Sequence, residues 1–251
     1  MEYRLAALHT RAALGRICGP DDMFARLDPP ADLHGWRLGG AVAFVRLSSV
    51  RPPSLFAWGP QVGALLEATA ALGVAQEHRI GSVSVPVEHQ HEVTSRFAVT
   101  SVGIWDWMWC DSMPAAAPHE EDLIALDDEH DAAEIAAFGL GENPLFEGFA
   151  GTGYSQEWVG LRSAGRLIAC GAVQRLPSGV AHLGGIVVAH DARRQGLGRA
   201  ISTALTRKVL TREQVCTLGM YSKNDIARRL YRDLSYTSDK TWASHGIADP
   251  S

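Results

Sequence analysis

The sequence lacks the features that mark secreted, membrane-spanning or disulfide-bonded proteins. Its four cysteines are widely spaced over 251 residues and include no Cys-x-x-Cys pair, so neither a disulfide framework nor a thiolate metal site is expected. No apolar run approaches the about 18 residues that a bilayer-spanning helix needs. Met1 is followed by Glu2 without an apolar signal core. These absences predict a cytoplasmic protein with reduced, mostly buried thiols.

A wide field of positive charge is missing as well. The formal net charge is −5, with 46% hydrophobic and 20% charged residues, which is ordinary globular composition. Such a chain is not expected to bind nucleic acid or a membrane surface. His89 and His91 have a spacing that some metal sites use, but no third ligand lies nearby in the sequence, so no metal site is predicted.

Residues 181–210 carry the clearest local pattern in the chain. The β-branched run Ile186–Val188 predicts a strand, and a polar turn containing Gly196 and Gly198 follows it. Apolar residues then recur every fourth position, which predicts a helix. Its predicted buried face is Leu197, Ile201, Leu205 and Val209. Its predicted opposite face is Arg199, Thr203 and Arg207.

The start of this helix is suited to bind an anion. First-turn backbone N–H groups lack partners within the helix, and glycine at 196 and 198 allows a phosphate to approach them. No acid occurs between Ala192 and Arg212, so the positive charge is local and favours a small phosphorylated ligand. For an isolated Gly-x-Gly, a solvated helix with turn glycines is the alternative. An ATP site is disfavoured because Gly-Lys-Ser/Thr is absent.

Two motifs in this order resemble those of the GNAT (Gcn5-related N-acetyltransferase) superfamily. Arg193-x-x-Gly196-x-Gly198 resembles the acetyl-CoA motif. The segment 222–236 resembles the later motif, in which Asn224 would open a helix and Tyr231 would face the thioester. The resemblance covers roughly residues 118–248. It departs from the family at Arg194 and Ser235, where glycine is usual.

The resemblance implies acetyl-CoA as cofactor and Tyr231 as the acid that protonates the departing thiolate. By the same resemblance, backbone amides near Val188 bind the pantetheine arm and the thioester carbonyl. His182 is the candidate base because its ordinary pKa is near neutral, with Glu147 and Glu157 as alternatives. Tyr231 could instead only pack, and His182 could be structural. The residues expected to bind the cofactor are Ile186, Val187, Val188, Arg193, Arg194, Gln195, Gly196, Leu197, Gly198, Arg199, Asn224 and Ala227.

The predicted fold class is α/β (α+β), a GNAT-like mixed and mostly antiparallel sheet flanked by helices, with a second N-terminal α/β domain. The Pro-containing segment 113–119 reads as a linker, which gives domains 1–115 and 116–251. The first domain is interpreted as a degenerate GNAT-like half, and no ligand is placed at its Gly59-Pro60 turn. Its predicted elements are a helix over 3–17, strands over 39–47, 54–58, 80–87 and 99–109, and a helix over 62–72.

For the second domain the pattern predicts the order β, β, β, α, β, α, β after an acidic helix over 122–138. The strands are predicted over 157–162, 167–175, 180–188, 216–221 and 236–244, with a helix over 224–234. The glycine-rich stretch 139–153 would contribute to the acceptor pocket, by the same resemblance.

The predicted function is acetyl-CoA-dependent N-acetyl transfer to a primary amine by direct attack on the thioester. The alternative is a CoA-binding sensor or interaction protein that performs no transfer. The acceptor would be a small-molecule or peptide amine, whose identity the sequence does not give. Homodimer formation is left open.

Overall fold

The structure is a computed structural model, and it describes residues 4–248. They form one twelve-stranded sheet with flanking helices. The strands are β1 (Ala6–Thr10), β2 (Asp32–Leu38), β3 (Ala41–Arg46), β4 (Ser54–Trp58), β5 (Ser82–Pro86), β6 (Val99–Cys110), β7 (Ile124–Leu126), β8 (Ser155–Ser163), β9 (Arg166–Arg175), β10 (Ala181–Val188), β11 (Cys216–Tyr221) and β12 (Thr237–Ile247). The α-helices are α1 (Arg11–Cys18), α2 (Met23–Leu27), α3 (Val62–Ala71), α4 (Val74–Glu77), α5 (Gln90–Thr94), α6 (Ala132–Glu142), α7 (Leu197–Leu210) and α8 (Asp225–Asp233). None of these helices has the length and apolar content that crossing a bilayer requires.

The sheet consists of two sets of six strands, and the strand order of one set, read from its outer edge to the centre, matches that of the other. The full order is β1-β2-β3-β4-β5-β12-β6-β11-β10-β9-β8-β7. In each half, antiparallel neighbours lead to one parallel pair, β4 with β5 and β10 with β11. The helices α3 and α7 connect these parallel strands. The two halves of the chain therefore have the same topology, which agrees with the interpretation of two similar halves.

The two central strands are exchanged between the halves. β6 comes from the first half of the chain but pairs with β11 of the second. β12 comes from the second half but pairs with β5 of the first. β6 and β12 pair with each other over most of their length. The boundary at 113–119 remains a prediction, and this segment of the chain contains neither a helix nor a strand.

Helices cover both faces of the sheet in the second half. Val187 packs with Ile135 of α6 and Trp158, whereas Val188 packs against the cluster that includes Ile201 of α7. Because successive side chains of a strand point to opposite faces, α6 and α7 lie on opposite sides of β10. In the first half, the indoles of Trp105, Trp107 and Trp109, which alternate along β6, lie in one apolar cluster.

Two helix predictions are wrong in part. The helix expected over 3–17 begins only at Arg11, and Ala6–Thr10 forms β1. The reason is strand pairing, since β1 pairs with β2, and the Thr10 side chain then caps α1 by accepting from the Ala13 N–H at 3.2 Å. Residue 3 lies outside the described residues. His89 and His91 lie in helical turns, His89 at the end of a 3₁₀ turn and His91 in α5.

The acidic helix expected over 122–138 begins only at Ala132. Before it, Ile124–Leu126 forms β7, which pairs with β8. The Asp127 carboxylate then accepts the N–H groups of Glu129 and His130 at 2.9 and 2.8 Å. These backbone bonds lower the pKa of Asp127 and close a turn that separates strand from helix. The remaining order of the second half, three strands, helix, strand, helix and strand, is confirmed.

Candidate functional site

A wedge opens between β10 and β11. The two strands are paired only at His182 with Thr217 and at Leu183 with Leu218. Beyond these pairs β10 carries an irregularity in its register with β9, while β11 continues alongside β6 as far as Tyr221. One strand turns away from the other, and their facing edges are left open to a ligand.

The bulge in β10 depends on Gly185. This residue has φ +62°, and a Cβ atom there would lie 2.9 Å from the ring of Trp158. The Ala189 N–H donates to the Ile168 carbonyl of β9 at 2.8 Å. Since adjacent peptide groups of a strand point to opposite edges, the N–H and carbonyl of Val188 point toward the wedge.

The loop after β10 leads into the N-terminus of α7 without a side-chain cap. Gly196 has φ +83° at the N-cap, and no acid lies in the first turn. A Cβ atom at Gly198 would meet only the Val188 Cγ2 atom, at 3.7 Å. The first-turn N–H groups thus have neither a side-chain cap nor an acid beside them, and these residues fit the pyrophosphate of a CoA molecule.

The arginines of this loop have different surroundings. Arg193 donates from Nε to the Val188 carbonyl at 3.2 Å and lies 3.5 Å from the Glu142 carboxylate, so it holds the loop against α6. Arg199 is paired with Asp233 of α8 at 2.6 Å. Arg194 is exposed and has φ +65°. Gln195 is also exposed, and its side chain reaches the Asp191 carbonyl at 3.5 Å.

Several predicted site residues have side chains turned into the core. Val187 and Leu197 are 6% and 5% exposed, so only their backbone groups are available to a ligand. Ile186 is partly buried against the α7 cluster. Thr203 was expected on the outer face of α7 but is fully buried. This prediction is wrong because a second layer, formed by α8 and the residues after it, covers that side of α7.

Asn224 caps α8 as predicted. Its side-chain oxygen accepts the Ala227 N–H at 3.1 Å. The Ser222 hydroxyl, just before this helix, donates instead to the Ile104 carbonyl at 3.1 Å. Helical spacing alone would place Ile226 on one face with Ala227 and Leu230, but Ile226 is 75% exposed, whereas Ala227 and Leu230 are partly buried against the core.

Tyr231 lies in the core between α7 and α8. It is 7% exposed, and its ring meets that of Tyr236 edge-on with centroids 5.8 Å apart. Burial raises the pKa of Tyr231 to about 12, and the nearby Ser202 hydroxyl offsets only part of this effect. The phenol is thus in its protonated, donating form at neutral pH. Val188 packs against the same apolar cluster.

His182 is largely buried on β10, immediately before the wedge. Its Nδ1 atom lies 3.0 Å from the Thr217 hydroxyl of β11. Burial, together with the positive charges of Arg46 and Arg51, lowers the pKa of His182 to about 3. The imidazole is therefore neutral across the physiological range. Both arginines belong to the first half of the chain, which reaches over this part of the second.

The first half also contacts the stretch predicted to form the acceptor pocket. Arg51, in the loop between β3 and β4, forms an ion pair with Glu147. Its guanidinium also lies 5.2 Å from the ring centroid of Phe149. Burial raises the pKa of Tyr221, with a contribution from the Glu147 charge. These contacts place Glu147 and Tyr221 near the loop that carries Arg51.

Glu157, the other alternative base, is at the wrong end of α7. Its carboxylate is paired with Lys208 at 2.5 Å and Arg212 at 3.0 Å. Although burial raises its pKa, these cations lower it on balance. They lie at the C-terminal end of a helix whose length is about 20 Å, far from its phosphate-binding start.

Three residues of this region were not found from the sequence. Each of them contacts a predicted site residue that is distant in the sequence. The pairs are Thr217 with His182, Arg51 with Glu147, and Glu142 with Arg193. Thr217 carried no signal because it is one polar residue in an apolar strand. Arg51 and Glu142 lie in segments without a motif. No group of three or more side chains suited to hold a metal is found among residues 4–248.

The chain is similar to one family model and to several solved structures. Residues 158–244 match the family described as FR47-like protein. No curated protein matches the chain. An acetyltransferase of the GNAT family from Novosphingobium aromaticivorans is 24% identical, with a TM-score of 0.53 over 60% of this chain and 67% of its own.

Other solved structures match over nearly the whole chain. A GCN5-related N-acetyltransferase from Kribbella flavida is 18% identical, covering 96% of this chain and 95% of its own with a TM-score of 0.53. A tandem GNAT protein from the clavulanic acid biosynthesis pathway is also 18% identical, covering 100% of both chains with a TM-score of 0.51. Both halves of the chain therefore have the same fold as these proteins.

Proposed function

We propose that the chain is a member of the GNAT superfamily and an acetyl-CoA-dependent N-acetyltransferase acting on a primary amine. The observation that carries the proposal is the wedge between β10 and β11 beside an uncapped, acid-free helix N-terminus. A nucleotide-binding helix alone would not require the strands to separate. A pantetheine arm needs such a slot, and its pyrophosphate needs such a helix end.

Different residues would bind different parts of the cofactor. First-turn N–H groups of α7, with Gly196 and Gly198, would bind the pyrophosphate, and exposed Arg194 and Gln195 would border it. The backbone of Ile186–Val188 would bind the pantetheine arm along the open edge of β10. Asn224 and Ala227 would flank it from the start of α8. Acetyl-CoA supplies the activated acetyl group as a thioester.

Two side chains would handle protons. Tyr231 is protonated at neutral pH and would donate to the departing thiolate. His182 is neutral and would take a proton from the attacking nitrogen of the acceptor as the C–N bond forms, directly or through a water molecule. The Val188 N–H faces the wedge and would stabilise negative charge on the carbonyl oxygen under attack.

The first half would shape the acceptor side. Arg51 holds Glu147 and Phe149, which belong to the loop after α6. This contact would fix a loop that is otherwise irregular, and it would leave a carboxylate near the entrance for a cationic amine. The acceptor class would therefore be set by both halves.

The test measures turnover by the full chain with acetyl-CoA and a panel of primary amines. Release of the free thiol of CoA is the quantity that is monitored. We expect amine-dependent thiol release, with no release when the amine is omitted. Calorimetry with CoA and with ATP should show binding of CoA only. Binding of CoA without turnover of any amine would support the sensor or interaction role instead, and tight ATP binding would reject both.

A further inference from the structure

Three groups at the end of the β10–β11 pairing form a short hydrogen-bond chain. The Thr217 hydroxyl lies 2.8 Å from the Ala181 carbonyl and donates to it. His182 Nδ1 lies 3.0 Å from the same hydroxyl oxygen. Thr217 is fully buried, so water does not compete for these bonds.

The direction of both bonds follows from counting protons. A carbonyl can only accept, and a threonine hydroxyl has one proton, which is used in the bond to Ala181. The hydroxyl oxygen can therefore only accept from His182, so Nδ1 must carry the imidazole proton. A neutral imidazole has a single N–H, which leaves Nε2 with a free lone pair.

The free nitrogen points to the place where the strands separate. Nε2 lies 3.7 Å from the position that a Cβ atom would have on Gly219. Gly219 is the first residue of β11 after the last pair with β10, Leu218 with Leu183. The basic atom of the imidazole therefore lies beside β11 at the start of the wedge, on the same side of Gly219 as the Trp105 ring, which is 3.3 Å from that Cβ position.

We propose that Thr217 is a positioning residue that fixes His182 in the Nδ1–H tautomer and so keeps Nε2 ready to accept a proton. Its role in catalysis rests on the proposed function. In the step itself, the nitrogen of the neutral amine bonds to the thioester carbon, and as this C–N bond makes the N–H acidic, the N–H bond breaks and an Nε2–H bond forms. The products are a tetrahedral oxyanion and an imidazolium, which Thr217 still stabilises as an acceptor at Nδ1.

The charges around the imidazole favour a neutral starting state. Arg46 lies on β3 and is itself paired with buried Asp28 at 3.4 Å, and Arg51 lies in the following loop. Glu147 neutralises part of the Arg51 charge, and Tyr221 is uncharged at neutral pH. On β11, Thr217 contributes only its hydroxyl. The tautomer is therefore the property that Thr217 controls, since the surrounding charges already keep the ring neutral.

The direct test is ¹⁵N NMR of the histidine side chains in the full chain near pH 7. His182→Gln identifies the signals of His182 among the ten histidines. We expect the Nδ1–H tautomer in the parent protein and in Thr217→Ser, which keeps the hydroxyl. Thr217→Val keeps the β-branched shape but cannot accept, so we expect the Nε2–H form to become substantially populated.

A control and a rate measurement complete the experiment. Thr69→Val removes another buried hydroxyl, in α3, and should change neither the tautomer nor the rate. With a confirmed acceptor, Thr217→Val should lower kcat at least about tenfold at unchanged KM for acetyl-CoA, and Thr217→Ser should restore it. An Nε2–H tautomer in the parent, or an unchanged tautomer in Thr217→Val, would overturn the proposal. The expected spectra without turnover of any amine would reject the proposed function and leave the tautomer assignment standing.

Discussion

Trp105 of β6 and Trp242 of β12 lie directly opposite each other, with stacked rings whose centroids are 6.5 Å apart. They are the facing residues of the two exchanged strands. Trp242 is fully buried, and Trp105 donates from its indole to the Ser244 hydroxyl at 2.8 Å. The strand that completes each half of the sheet is therefore supplied by the other half of the chain.

This exchange predicts which fragments fold. A fragment of residues 119–251 lacks β6, so β11 and β12 lose the strand that lies between them and expose backbone edges. A fragment of residues 99–251 keeps β6 and a continuous run of seven strands. We expect the longer fragment to bind CoA as a soluble protein and the shorter one to aggregate, as measured by gel filtration and calorimetry. A monomeric, CoA-binding 119–251 fragment would contradict the importance of β6.

The second prediction concerns the anion site. Gly198→Val places methyl groups in the space before the first-turn N–H groups of α7, where its Cβ meets only Val188 at 3.7 Å. The fold should remain, and CoA affinity should fall at least about tenfold. Gly15→Val is the matched control, because Gly15 of α1 also has free space around it but lies in the first half. Equal CoA affinity of the two variants by calorimetry would mean that the phosphates bind elsewhere.

The third prediction separates the acid from a packing role at Tyr231. Tyr231→Phe keeps nearly all the buried area, so stability and CoA affinity should stay close to those of the parent. Turnover with saturating acetyl-CoA should fall within the about 10²- to 10⁴-fold that a positioned proton donor contributes. Parental turnover in Tyr231→Phe would assign the residue to packing alone.

The contrast for this variant is the neighbouring phenol. The Tyr236 hydroxyl bonds to Thr206 at 2.9 Å and to Cys216 at 3.1 Å within the core. Tyr236→Phe should therefore cost about 1 kcal/mol of stability while turnover remains. Opposite effects of the two substitutions would distinguish the chemical role from the structural one.

The sequence predicted local elements well where periodicity and glycine spacing determine them. The strand Cys216–Tyr221, the glycine turn before α7 and the Asn224 cap all follow from short-range pattern. The positions at which the chain departs from the motif, Arg194 and Ser235, both have positive φ, 65° and 68°. This explains physically why glycine is usual there, because L side chains are strained in that region.

What could not be predicted depends on partners distant in the chain. The alternation of apolar and polar residues along β6 or β12 does not indicate which strand pairs with it. The exchange of these two strands could therefore not be predicted from the sequence. The same is true of His182, whose low pKa comes partly from Arg46 and Arg51 of the other half. Thr203 was assigned to the solvent because helical spacing indicates one buried face and not a second covering layer.

The last prediction is a pH dependence of stability. His182 has a folded pKa of about 3, lowered first by burial and then by Arg46 and Arg51, against an ordinary value of 6.5. Between these values the unfolded chain binds a proton at this residue and the folded chain does not. The free energy of unfolding therefore decreases as pH falls from 6.5 toward 3, by up to about 1.4 kcal/mol per pH unit from this group.

His182→Gln removes this contribution, so the stability difference between parent and variant should shift in favour of the variant between pH 7 and 4.5. Urea denaturation of both proteins at these pH values measures it. Buried Asp28, whose pKa is raised, gives an opposite slope, but it is present in both proteins and cancels in the comparison. Parallel stability curves for parent and variant would mean that His182 is already accessible to protons in the folded state.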